Sequence, residues 1–501
     1  MEASLLLIIS LACLVITIFL VHIKHLNASS KDLPPGPWKL PIIGSMHHLL
    51  GEHPHRRLRS LAKTYGPLLH LKLGEINLIV VSSPELTCEV MKTQDVKFAS
   101  RPELLVSKII SYDNSGMAFA PLGKYWLQLR KICLVNLLSP KRIKSFSSIR
   151  EEEGHKLVQK LRKAEGSPVN ITEMFKSVAY STVARAAFGK ECAHQHKFLM
   201  ATEEIFKLTS GFSIVDLFPS VSFLGEITGL RPHMERLHRT LDSILNEIIE
   251  EHQMKASKCD INGDGSMDED IVDALLKLTK DEELDVPLRM DNIKAVILDL
   301  FLAGTETTST TLNWIMTELI RHPEVMRRAQ LEVRTAFHGK EKVEEEDIIN
   351  LHYLNQIIKE GLRFHPPGPL LVPRHVSNTV ELSGYTIPSG SRVVINAWAI
   401  MRDPSYWDDP ESFRPERFND VNPKDFKGAN FEYIPFGGGR RICPGITFAM
   451  SSIEHVLALL LFHFDWKLPV KGMSPVEFDV EEEFGLSLTK KNDLQLLATE
   501  S

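Results

Sequence analysis

Phe436-Gly437-Gly438-Gly439-Arg440-Arg441-Ile442-Cys443-Pro444-Gly445 reads as a tight loop that delivers one thiolate to a metal, and the rest of the chain is organised around it. Three consecutive glycines let backbone pass close to something flat or bulky, at an entropic cost that a plain connector has no reason to incur. The paired arginines Arg440 and Arg441 suit carboxylates or phosphates on that object. Pro444 fits the first turn of a helix, and the amphipathic run 446–464 supplies that helix. Its N-terminal amides favour sulfur as the anion, the form that ligates metal. A single intracellular cysteine is most often a small buried hydrophobe, but such a cysteine needs neither a triple-glycine approach nor two arginines.

Length and composition set wide bounds. The 501 residues could hold two or three ordinary domains or one large fold. With 58 basic against 64 acidic residues and a net charge of −6, nothing points to nucleic acid. Six cysteines, Cys13, Cys88, Cys133, Cys192, Cys259 and Cys443, lack the close pairing of a zinc site and the density of a disulfide scaffold, so a reducing compartment is expected.

Read in order, residues 3–23 carry no charge and are long enough to cross a bilayer as a helix. Lys24, His25, Lys31 and Lys39 on the following flank place the bulk of the chain in the cytoplasm. A basic, proline-rich hinge is expected over 24–41, stiffened by Pro34-Pro35-Gly36-Pro37. Residues 69–81 alternate as a hairpin around Gly74-Glu75, 84–91 begin a short helix, and 101–121 form a long irregular loop. The apolar stretch 206–230 is more apolar than a connector should be, so it is either core or an apolar surface touching the membrane, and a long helix follows it. Asp260-Ile261-Asn262-Gly263-Asp264-Gly265 imitates a calcium loop, but Ile271 stands where the bidentate glutamate belongs, so a metal-free acidic loop is expected. Helical periodicity over 291–321 predicts a helix crossing the whole domain, interrupted by the small residues of Ala303-Gly304-Thr305-Glu306-Thr307-Thr308. Residues 380–396 alternate as further sheet. A C-terminal hairpin is expected from Gly485-Leu486-Ser487-Leu488 through Lys490-Lys491-Asn492-Asp493.

The pattern F-x-x-G-x-R-x-C-x-G, carried here by Phe436, Gly439, Arg441, Cys443 and Gly445, resembles the heme-binding loop of the cytochrome P450 family of heme-thiolate monooxygenases. That resemblance extends over the chain from the anchor onward and implies a mainly α fold with smaller β-sheets over 42–501, preceded by one transmembrane helix at 1–23. It implies heme b (iron protoporphyrin IX) with Cys443 as the axial iron ligand and Phe436, Trp126, Arg130, Arg374 and Arg441 against the cofactor. Thr307 would hydrogen-bond dioxygen while Glu306 relays protons. Glu360 and Arg363, one helical turn apart, would join Arg417 in a buried ion network. Gly361 departs from the family pattern there and weakens its helix by about 1 kcal/mol relative to alanine.

Ile109, Ile110, Ala303, Leu370, Leu371, Val372 and Leu486 are the residues the resemblance places around substrate. The segments 33–41, 431–436 and 491–494 are similar to plant microsomal members that hydroxylate terpenoids. The implied reaction is NADPH- and O2-dependent hydroxylation of a hydrophobic secondary metabolite, sesquiterpenes first and diterpenes second, with alkaloids and flavonoids as alternatives. Electrons would come from NADPH through cytochrome P450 reductase, docked on the basic region of Lys124, Lys131, Lys141, Arg142 and Lys144, at the cytosolic face of the endoplasmic reticulum. Two other classes use the same cysteine differently. A heme-thiolate isomerase or dehydratase would not need the Glu306-Thr307 pair, and a non-catalytic membrane-anchored binding protein would need neither that pair nor a basic docking face.

Overall fold

The computed structural model describes residues 32–501 apart from 192–193, 210, 222, 263–268, 341–342, 420–423 and 470–477, and backbone alone over 258–262. The expected anchor, the first part of the hinge and most of the calcium-like loop therefore lie outside the described residues.

One helix, Met290–Arg321, sets the frame. At 32 residues it is about 48 Å long. It stops where proline dictates: His322 is in the extended half of conformational space, and Pro323 opens the next helix, Pro323–Ala336. Its two halves lie in different hydrophobic cores. Ile293, Val296, Ile297, Leu298, Phe301 and Leu302 pack with the helices Ile171–Phe188, Gln195–Leu208 and Leu230–Asn262. Leu312, Ile315, Met316, Leu319 and Ile320 pack with the helices His352–Phe364 and Ile446–His463. The segment 303–311 between them belongs to neither core, which leaves its small and hydroxyl-bearing residues facing cavities. Helix Ile446–His463 is apolar and long enough to cross a membrane, but 61% of it is buried inside the domain, so it is a core helix.

The sheets are small. Leu68–Leu73 and Ile76–Val81 form the expected hairpin, with Leu73 opposite Ile76 and Gly74 at φ +57° in the turn. Arg392–Ile395 adds in parallel to Ile76–Val81, and Arg374–His375 closes the far edge antiparallel. This last pairing carries Arg374 into the middle of the domain. The proline-rich segment lies along the first strand, where the His70 amide donates to the Pro35 carbonyl at 2.9 Å. A side chain on Gly36 would sit 1.9 Å from the His70 carbonyl oxygen.

Three local expectations change. The loop after Arg101 contains a helix, Leu105–Ile110, followed by three residues in the left-handed region, Tyr112, Asp113 and Asn114. The C-terminal hairpin pairs Glu482–Phe484 with Leu488–Lys490, so its tip is 485–487, and residues 491–494 lead on to strand Gln495–Glu500. Packing along the polypeptide backbone explains the shift, since the Leu486 amide donates to the Phe206 carbonyl at 2.8 Å. Gly361, finally, is a packing requirement: a Cβ there would lie 2.4 Å from Cγ1 of the fully buried Ile315.

Candidate heme site

Cys443 lies between the short turn Gly439–Arg441 and the N-terminus of helix Ile446–His463. The turn is held against the neighbouring segment by backbone shape. Gly439, at φ +67°, would place a Cβ 1.9 Å from the Met91 carbonyl oxygen, so only glycine allows this approach. The Cys443 amide donates to the Phe436 carbonyl at 3.0 Å, closing the loop on itself. Burial pushes the thiol upward, opposed by the Gly445 N–H and the Arg130 guanidinium. These two groups are the ones a thiolate needs, and a bound metal cation would remove the thiol proton outright.

Above the cysteine is a chamber of about 360 Å3 whose wall includes Cys443, Phe436, Trp126, Arg130, Arg374 and Arg441. Trp126 is buried and donates through Nε1 to the Met117 carbonyl at 3.0 Å, with the Arg441 guanidinium 4.0 Å over its ring. Arg130 donates to the Ile442 carbonyl at 2.6 Å. Arg441 donates to the carbonyls of Ala99, Met117 and Ala120 at 2.8, 3.1 and 2.5 Å. Arg374 reaches the Gly438 carbonyl and Asp95 at 3.1 and 3.3 Å. Arg101 joins them, buried and donating to the carbonyls of Ala118, Val372 and Pro373 at 3.0, 2.7 and 2.9 Å.

Among the described residues Asp95 is the one carboxylate that pairs with these guanidinium groups, and it is shared with Arg440. Burial and mutual repulsion consequently push Arg101 well down and Arg441 down to about 9. A ligand carrying two carboxylates would relieve that excess. A lone thiol at a helix start, a glycine cradle and surplus guanidinium together fit an iron porphyrin with its two propionates.

On the far wall the central helix presents Ala303, Gly304, Thr307, Thr308 and Thr311 to the chamber. Thr307 Oγ1 donates back to the Ala303 carbonyl at 2.7 Å, while the buried Thr308 hydroxyl has no partner among the described residues. Glu306 projects to the opposite side of the helix, and burial raises its carboxyl to about 7. Of the residues expected around substrate, Ile110, Ala303, Leu371, Val372 and Leu486 line the chamber. Ile109 and Leu370 do not: Ile109 packs against the core around Val106 and Leu298, and Leu370 lies in the small core beside Leu69 and Val394. In the expected ion network, Glu360 accepts from Arg363 Nε at 2.7 Å, Arg363 Nη2 at 2.8 Å and Arg417 Nε at 3.0 Å.

Sequence reasoning missed Arg101 and Asp299. Asp299 lines the chamber, accepts from the Ala118 amide at 2.9 Å and is raised to about 6 by burial. Its signal was present, because 299, 303, 307 and 311 recur every fourth residue on one helical face. Arg101 carried only a weak one, a lone arginine beside Pro102.

A sequence model described as "Cytochrome P450" matches residues 34–496. The chain belongs to the cytochrome P450 family. Premnaspirodiene oxygenase of Hyoscyamus muticus is 49% identical over 95% of this P450 and 94% of its own length. Desmethyl-deoxy-podophyllotoxin synthase of Sinopodophyllum hexandrum is 47% identical over 98% and 96%. A zebrafish cytochrome P450 structure with progesterone superposes at a TM-score of 0.76, covering 90% of this P450 and 100% of that chain at 23% identity. The enzyme is thus a P450 monooxygenase with a heme cofactor and a mainly helical fold bearing small sheets.

Proposed function

We propose that this monooxygenase hydroxylates a hydrophobic plant metabolite, a hydrocarbon terpene skeleton first, with the carbon to be oxidised held over Cys443. The observation that carries the reading is the largely apolar chamber that runs from Cys443 to Leu486, walled by Val106, Ile110, Leu371 and Val372. Support comes also from the names of two similar proteins, premnaspirodiene oxygenase and the 5-epiaristolochene 1,3-dihydroxylase of Nicotiana tabacum, the latter 47% identical. When bound, heme supplies the activation of dioxygen with two electrons from NADPH. Cys443 holds the iron, and Arg101, Arg130, Arg374 and Arg441, with Trp126, hold the propionate edge. Thr307 offers a hydroxyl to the oxygen groove, Glu306 supplies protons, and the apolar wall orients substrate and excludes water.

The electron donor is proposed to be a microsomal reductase docking beside the cysteine. Lys124, Lys131 and Lys141 are exposed there, together with Leu127, Leu134 and Val135. Arg142 and Lys144 contribute less, because they pair with Glu269 and Glu346. Charge reversal at Lys131 and Lys141 should weaken reductase-supported turnover and its salt dependence; unchanged values would remove this face. Endoplasmic-reticulum attachment is proposed from the apolar N-terminal run. A second apolar surface supports it: Ile42, Phe223 and Ile227 are exposed near the contact of the 40–44 turn, Gly74 and helix Ile214–Leu217.

The experiment is expression of the full chain in microsomes with a plant reductase, fed sesquiterpene and diterpene hydrocarbons, with alkaloids and flavonoids as competitors. NADPH-dependent, carbon-monoxide-sensitive gain of oxygen on a terpene hydrocarbon supports the reading. Gain of oxygen confined to another scaffold overturns the substrate and keeps the enzyme class.

A further inference from the structure

Asp95 opens the short helix Asp95–Phe98, directly after the wide turn Glu89–Thr93, in which the Gln94 amide donates to the Glu89 carbonyl five residues back at 2.8 Å. Its side chain is 8% exposed and stands between two arginines. On the inner side, Oδ1 lies 3.3 Å from Nη1 of Arg374, which is 4% exposed and lines the substrate chamber. On the outer side, Oδ2 lies 3.3 Å from Nε of Arg440, which is 50% exposed.

The inner pair also grips the cysteine loop. Asp95 Oδ2 accepts from the Arg440 amide at 3.1 Å, and Arg374 Nη2 donates to the Gly438 carbonyl at 3.1 Å. These are the two peptide groups that flank Gly439, whose Cβ position lies 3.2 Å from Asp95 Oδ1. One ion pair therefore binds an N–H and a C=O on either side of the glycine, three residues before Cys443 in the case of Arg440. An exposed pair with Arg440 alone would contribute little. Arg374 is the informative partner, because a buried guanidinium is costly unless it is paired and hydrogen-bonded. Asp95 and the Gly438 carbonyl take two of its five N–H groups, and the others are left for an anion at the chamber edge. The Asp95 charge opposes the downward push of burial on Arg374, and of burial and repulsion on Arg441.

We propose that Asp95 is a positioning residue for both sides of the iron site, pinning the loop that carries Cys443 and aiming Arg374 at a heme propionate. The inference rests on the reading of Cys443 and Arg374 as heme-holding residues and adds what holds them. Asp95 itself is absent from the chamber wall and acts through its partners. As the one carboxylate among the described residues paired with this guanidinium cluster, it also sets how much positive charge the cofactor edge meets. Outer-shell partners that orient a ligand in this way typically cost roughly 10–100-fold in metal affinity or activity when removed.

The test uses the full-length holoenzyme with four variants. Asp95→Asn keeps an oxygen for the Arg440 amide and removes the charge, Asp95→Ala removes both, Arg374→Met removes the inner partner, and the fourth combines Asp95→Asn with Arg374→Met. Mediated reductive titration reads the heme midpoint potential, resonance Raman the propionate bending bands, and transfer to apomyoglobin the rate of heme loss. Asp95→Asn should raise the midpoint potential, because loss of a negative charge favours the reduced, more negative iron site, and should shift the propionate bands. In the Arg374→Met background Asp95→Asn should move those bands no further. Asp95→Ala should lose heme on the order of ten- to hundredfold faster and weaken the thiolate-type carbon monoxide band; if it does not fold, Asp95→Asn and the double variant decide. Wild-type potential and bands in Asp95→Asn with Arg374→Met impaired in heme retention, or an additive band shift in the double variant, would overturn the role of Asp95 alone. Arg374→Met with wild-type propionate bands and heme retention would overturn the reading on which it rests.

Discussion

Gly361→Ala tests whether packing or helix propensity governs the helix that carries Glu360 and Arg363. Propensity alone favours alanine by about 1 kcal/mol. The structure reverses the sign: the new Cβ would lie 2.4 Å from Cγ1 and 3.0 Å from Cδ1 of Ile315. Ile315 is fully buried on the central helix, and a β-branched side chain in a helix has one strongly preferred χ1, so it cannot swing aside cheaply. Overpacking of this kind costs typically 1–3 kcal/mol, which leaves Gly361→Ala destabilised by about 1 kcal/mol net. Denaturant unfolding of the single variants and of the double variant with Ile315→Ala reads this directly. Ile315→Ala alone should cost roughly 2–5 kcal/mol as a cavity, and the added methyl should partly fill that cavity. The double variant should therefore be more stable than the sum of the singles by about 1–2 kcal/mol. A stabilised Gly361→Ala, or additivity within about 0.5 kcal/mol, would refute the packing argument.

Other consequences follow the same geometry. Arg363→Ala strips Glu360 of its bidentate partner and frees the carbonyls of Met401 and Pro410; a loss of about 3–5 kcal/mol and poor heme retention are expected in unfolding and heme-content assays. Arg101→Met should lower heme retention while leaving the fold's circular dichroism intact. Thr307→Ala should keep heme and substrate binding but release NADPH oxidation from product formation, and tight coupling in that variant would remove Thr307 from its role. Asp299 and Glu306, raised to about 6 and about 7, bind protons in the folded state that the unfolded chain has released. Stability should therefore decline as pH rises from about 4 through 7, and Asp299→Asn with Glu306→Gln should flatten that slope.

Much of this was legible because local chemistry and global role coincide. Glycines and a cysteine ahead of a helix can be read without neighbours, as can thirty residues of helical period, and Glu360 and Arg363 are already partners by spacing. What was not legible depends on long-range contact. Arg101 owes its place to the carbonyls of Val372 and Pro373, some 271 and 272 residues away in sequence. The necessity of Gly361 lies in Ile315 on another helix, and the hairpin tip is set by the Phe206 carbonyl. Ile109 and Leu370 fall outside the chamber because each neighbours a residue that does line it, and a one-residue rotation of a short helix or turn has no signature in sequence.

The most direct test of a heme-thiolate centre at Cys443 is the carbon monoxide difference spectrum of the reduced full-length enzyme beside its Cys443→Ser variant. A thiolate-type band in the wild type that is lost in a folded Cys443→Ser protein is the predicted result. A folded wild type without that band, or a variant that retains it, would contradict the assignment of Cys443 as the iron ligand.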